Sequence, residues 1–133
     1  MPDTSKIIRS YLDALVGRGD FAAFFADDVT FEIVGTDQAT RGRQAVSDLI
    51  TWLHTQAFDA SPKLKTVIAD DGHAAVEVDF VGTHTAEFLG IPATGQSVNV
   101  LYSVTYDIPA DTITAIRVYM PMQLFGEQLG GEG

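Results

Sequence analysis

Glu77 and Asp79 stand two apart in the run H-A-A-V-E-V-D-F-V at 73–81. Residues two apart in an extended strand share a face, so the two carboxyl groups form a pair. If that face lines an apolar pocket, desolvation and mutual repulsion hold one carboxyl protonated beside the other, which makes an acid/base pair. If it faces water, Val76, Val78 and Phe80 pack inward and the carboxylates are solvated. Alternation ordinarily turns polar residues outward, and a slip of one residue exchanges the faces. His84 sits in T-H-T at 83–85. It is either a pocket base or a ring that bonds nearby backbone and fixes a connection. Tyr11 either donates to a substrate oxygen or packs with its hydroxyl at a helix edge. His54 and His73 are expected at the surface. Three scattered histidines without an i, i+4 partner give no metal signal. Arg117 is expected to pair with an acid on a neighbouring strand.

The elements that must position these groups turn about the run G-T-H-T-A-E-F-L-G-I-P-A-T-G at 82–95. Its glycines and proline stop a strand and set special backbone angles. The run therefore joins a strand entering from His73 to one leaving over Gln96 to Asp107. Before it, Asp3, Thr4 and Ser5 can cap a helix on which Ile8, Tyr11, Leu12, Leu15 and Val16 recur at helical spacing. A short second helix opens at Asp20 and carries F-A-A-F-F-A. Val29–Val34 alternates as a strand, and Gly35–Thr40 reads as a polar loop. A third helix spans about Gly42–Ala57, with Val46, Leu49, Ile50, Leu53 and Ala57 buried and Trp52 beside that stripe. Leu64–Ala69 is a strand, and Asp70-Asp71-Gly72 is a hairpin signal. A turn at Ile108–Asp111 leads to a last strand over I-T-A-I-R-V-Y-M, which Pro121 ends. A closing helical turn is expected over Met122–Leu129. Helices first and consecutive antiparallel strands after make an α+β pattern. Residues 1–133 read as one domain, with 129–133 as a frayed tail.

Composition narrows the function. The chain carries 18 acidic against 8 basic residues, a formal net charge of −10. Nucleic acid and anionic membrane surfaces would be repelled. With no cysteine in the chain, disulfides, thiolate catalysis and zinc–cysteine sites are excluded. No apolar run follows the opening M-P-D-T-S-K, and none reaches the roughly 20 residues of a membrane span. A cytoplasmic protein is the expectation. A hydrophobic content of 46% leaves apolar surface to line a cavity or a dimer interface.

The order of elements, F-A-D-D-V-T-F-E at 25–32, the central 82–95 run and I-T-A-I-R-V-Y-M at 113–120 resemble the nuclear transport factor two-like superfamily. The central run is most like its SnoaL-like polyketide cyclases. S-Y-L-D-A-L-V-G-R-G-D at 10–20 is similar to ketosteroid isomerases, and the tail through Phe125 to limonene epoxide hydrolases. The resemblance implies a conical α+β barrel, a strongly curved antiparallel sheet wrapped over three N-terminal helices around a deep apolar pocket, with a homodimer through the outer face. Tyr11 falls where the isomerase has its hydrogen-bonding tyrosine. The isomerase base falls at Ile33, its protonated aspartate near Ser103, and the hydrolase aspartate on the last strand at Val118. Asp79 then inherits the acid role, with Glu77 where the hydrolase has an arginine. Phe31, Ile33, Trp52, Leu101, Ser103, Val118, Met120 and Phe125 fall where relatives face the cavity, a bulky lining suited to a small hydrophobic molecule. The implied activity is acid–base chemistry without metal or organic cofactor, of isomerase, cyclase or epoxide hydrolase type. A binding module using the same cup without chemistry, and a dimeric interaction domain with a filled cup, are the alternatives.

Overall fold

Asp3 opens the first element. Its carboxylate accepts the Lys6 N–H at 3.2 Å and caps α1 (Thr4–Val16), whose buried face carries Ile8, Tyr11 and Leu12. The structure, a computed structural model, describes residues 3–17, 19–35, 39–87 and 93–121. After Gly17 the expected second helix is a single 3-10 turn, Phe21–Phe24, which passes directly into β1 (Phe25–Ile33). Among the described residues two α-helices thus stand where three were expected. Phe25 and Ala26, expected in that second helix, instead open β1 together with Asp27 and Asp28. There follow β2 (Ala39–Arg41), α2 (Arg43–Trp52), a π turn at Leu53–Ala57, β3 (Phe58–Ala60), β4 (Lys63–Asp70), β5 (His73–His84), β6 (Ser97–Asp107) and β7 (Ile113–Tyr119). Strands β2 and β3, three residues each, are too short to show alternation and escaped the sequence reading. The closing turn at 122–129, the tail and Phe125 lie outside the described residues.

The sheet runs β2-β1-β7-β6-β5-β3, with β4 also on β5. Strand β5 is its spine. One edge pairs with β6 from His73 to Thr83, while the other takes β4 over His73–Asp79 and β3 over Gly82–His84. Asp71 and Gly72 both have positive φ, 46° and 84°, as a two-residue hairpin turn requires. Among the described residues every pairing is antiparallel except β1 with β7, which is parallel. No hairpin joins those two strands, so no tight turn dictates their direction. Register shifts in β1 and β4 bend a sheet that curls into a half-barrel.

The hollow holds two apolar clusters. The larger joins Ile8, Tyr11 and Leu12 of α1 and Val46 and Ile50 of α2 to the inner faces of β1, β5, β6 and β7. The smaller contains Ala57, Phe58, Ala60, Phe80, Val98 and Val100. Leu53, Tyr102 and Met120 pack against both. On the outer face the Arg117 guanidinium donates to both Asp107 carboxylate oxygens at 2.8 and 3.0 Å. That pairing holds the Asp107 carboxyl below its usual range.

Gly82 marks the tightest approach in the sheet. A Cβ there would stand 2.8 Å from the Asp59 carbonyl oxygen and 3.0 Å from the Ala60 Cα, both backbone atoms of β3. Neither can yield without displacing the strand. Gly82→Ala should therefore cost about 1–3 kcal/mol, measured as a fall in the denaturation midpoint. Gly95→Ala is the contrasting case: no neighbour lies within 4 Å, and the penalty is its positive φ of 69° alone.

Candidate functional site

Where the two clusters meet there is a cavity of about 70 Å³. Cavities near 150 Å³ take up a benzene ring, so a one-ring ligand enters here only as a lining side chain turns aside. Met120 and Leu53, at the seam, are partly buried and unbranched at Cβ, and methionine adapts readily. The wall is otherwise aliphatic and aromatic, including Phe31, Ile33, Phe58, Phe80 and Val118.

Its polar groups are the hydroxyls of Tyr11, Tyr102 and Tyr106 and the ring of His54. Tyr11 comes from α1 and the other two from β6, two turns of alternation apart on the inner face. The Tyr11 and Tyr106 rings meet at 5.7 Å between centroids. The Tyr11 and Tyr106 hydroxyls are hydrogen-bond partners. Burial pushes all three phenols well above their ordinary value, and for Tyr11 and Tyr106 the neighbouring phenols add to it. They are neutral donors at any ordinary pH.

His54 is half-buried and lines the cavity, not the surface as its sequence context suggested. Leu53 and His54 open the π turn that follows Trp52, and both line the cavity; such turns inside helices recur at functional sites. Its Nδ1 lies 2.8 Å from the Ile50 carbonyl oxygen. A carbonyl only accepts, so Nδ1 carries the proton and Nε2 is the basic nitrogen. A signal was available: Val46, Ile50 and His54 continue one i, i+4 series.

The other candidates are placed elsewhere. Glu77 is exposed and Asp79 ion-pairs with Lys65 at 3.1 Å, both on the outer face, because Val76, Val78 and Phe80 occupy the inner one. The pair does not reach the cavity. Leu101 and Ser103 are their cross-strand partners on β6 and share that outer face, so Tyr102 and Val104 line the cavity instead. Trp52, at 37% exposure, also lies outside it. Phe31, Ile33, Val118 and Met120 do line it, as does Tyr11.

His84 is fully buried behind the wall, stacked on Phe58 at 5.1 Å. Its backbone exchanges hydrogen bonds with Gly95 and Gln96, and its Nδ1 accepts the Thr94 N–H at 3.2 Å. The geometry is that of a clasp on the two ends of the 82–95 connection. Among the described residues no group of three His, Asp or Glu side chains could hold a metal, and no helix is long and apolar enough to cross a membrane.

With this geometry in view, the chain matches the SnoaL-like polyketide cyclase family over residues 7–128. It belongs to that family. No curated protein matches in sequence. A SnoaL-like protein from Jannaschia sp. CCS1 superposes with a TM-score of 0.84 at 15% identity, covering 100% of this chain and 97% of its own. TsrD from Streptomyces laurentii gives 0.80 at 18%, covering 96% and 97%. A protein of ketosteroid isomerase-like fold from Catenulispora acidiphila, solved with trimethylamine, gives 0.75 at 16%, covering 98% and 96%. At these identities the likeness establishes the fold of a SnoaL-like protein, while reaction and substrate rest on the cavity itself.

Proposed function

We propose that this SnoaL-like protein is an enzyme acting on a small, apolar, oxygen-bearing ring by acid–base chemistry, of isomerase or cyclase type. The observation that carries the reading is Tyr11, a buried phenol beside Tyr106, held neutral in the wall of a largely apolar cavity. A donor in such surroundings, out of competition with water, is worth more to a developing oxyanion than the same group in solution. Epoxide opening loses its support, since it drew on carboxylates that the sheet turns outward. A second reading, a binding module without turnover, is favoured by one fact: among the described residues no carboxylate lines the cavity.

The test is a comparison of p-cresol with toluene by titration calorimetry. The two share a ring and a methyl group and differ by the oxygen. The phenol should bind about 3- to 10-fold more tightly, the worth of one neutral hydrogen bond, and Tyr11→Phe should abolish that preference. Equal affinities in the parent protein would remove the donor role of Tyr11.

A further inference from the structure

We propose that Tyr102 is a second ligand donor of this cavity, and that the ligand is a ring with oxygens at opposite, 1,4 positions, one met by Tyr11 and the other by Tyr102. The inference rests on the reading of the cavity as a site for an oxygen-bearing ring, and adds where a second oxygen lies. Three observations carry it. Tyr102 lines the cavity, and its ring meets Phe80 of the same wall edge-on at 6.1 Å between centroids. The other polar groups of the wall are engaged: Tyr11 and Tyr106 bond each other, and His54 bonds the Ile50 carbonyl. Tyr102 shares in neither bond, and burial alone sets its phenol apart. A buried hydroxyl without an acceptor is costly, so a ligand oxygen that takes its proton gains over a ligand that offers none.

The third observation is placement. Tyr102 and Tyr106 lie on the inner face of β6, four residues apart, which is ~13 Å of strand. Tyr106 meets Tyr11 within the larger cluster, whereas Tyr102 packs at the seam against both clusters. The Tyr11 and Tyr102 phenols are still close enough for charge on one to disfavour charge on the other. Two donors that reach a one-ring hollow from different ends select oxygens across the ring from each other, and not on adjacent carbons.

Hydroquinone, p-cresol and catechol are the probes, titrated calorimetrically without oxygen. Hydroquinone is p-cresol with a hydroxyl in place of the methyl group, and catechol carries its two hydroxyls side by side. Tyr102→Phe should weaken hydroquinone about 3- to 10-fold, the worth of one neutral hydrogen bond, and leave p-cresol and catechol within twofold. Tyr11→Phe should weaken all three. A hydroquinone affinity unchanged by Tyr102→Phe overturns the assignment of Tyr102. So does a loss that p-cresol or catechol shares equally, which is lost packing, and so does a parent protein that binds p-cresol but not hydroquinone. Failure of the parent protein to bind p-cresol more tightly than toluene overturns instead the underlying reading of the cavity. Should Tyr102→Phe not fold, the carbon-13 shift of the Tyr102 Cζ in the parent protein decides. It must move on saturation with hydroquinone and hold with p-cresol, and an equal response to both contradicts the proposal.

Discussion

Above pH about 10, the ordinary phenol range, this protein should lose stability steeply as alkalinity rises. Tyr11, Tyr102 and Tyr106 are held protonated in the folded chain by burial, with pKa values raised above those of the unfolded chain. Below the unfolded value both states are protonated and the stability is fully present. Above it the unfolded chain ionises while the folded chain does not, so fewer protons are bound on unfolding and stability falls until the folded values are reached. Each such proton contributes about 1.4 kcal/mol per pH unit, so three give a slope of about 4 kcal/mol per pH unit. Denaturant midpoints taken from pH 8 to 11.5 measure it. Tyr102→Phe should reduce the slope by about a third, because one titrating group is gone. A slope unchanged by Tyr102→Phe and by Tyr106→Phe would mean that these rings are reached by water.

Phe58→Ala should destabilise the fold by about 3–5 kcal/mol. The ring is fully buried, meets Phe80 edge-on at 5.2 Å and carries the stacked His84 on its far side. Truncation removes the wall between the cavity and the clasp on the 82–95 connection, so the loss combines transfer energy with the void left behind. The same void enlarges a hollow that is tight for one ring, and p-cresol should recover more stability in Phe58→Ala than in the parent protein. Leu101→Ala, at 51% exposure on the outer face, should cost under 1 kcal/mol by the same assay, since most of its area is already in water. If the two variants fell equally, the assignment of inner and outer faces would be in error.

That assignment is also where the sequence was hardest to read. In V-N-V-L-Y-S-V-T-Y the apolar residues Val100, Leu101 and Tyr102 are consecutive, so either parity of β6 presents an apolar face. The register settles it. Asp79 pairs with Leu101 and Glu77 with Ser103, so all four turn the same way, and the carboxylates turn outward with Leu101 and Ser103. The hairpin at Asp71-Gly72 and the buried stripe of α1 were legible because each is set locally, by turn residues and by helical spacing. The parallel pairing of β1 with β7 was not, because it joins the two ends of the chain with no turn chemistry between them. The π turn after Trp52 was equally hidden. His54, by contrast, was legible: it continues the i, i+4 series of Val46 and Ile50, the buried residues of α2.

The claim on which the account stands is that a small oxygen-bearing ring enters the seam between the two clusters and meets Tyr11. Methyl-resolved NMR during a p-cresol titration tests it most directly. Saturable shifts should appear at Ile50, Val104, Ile116, Val118 and Met120, which line that seam, and should weaken together in Tyr11→Phe. Shifts confined to Ile68 and Leu101 on the outer face, or none that saturate, would contradict it.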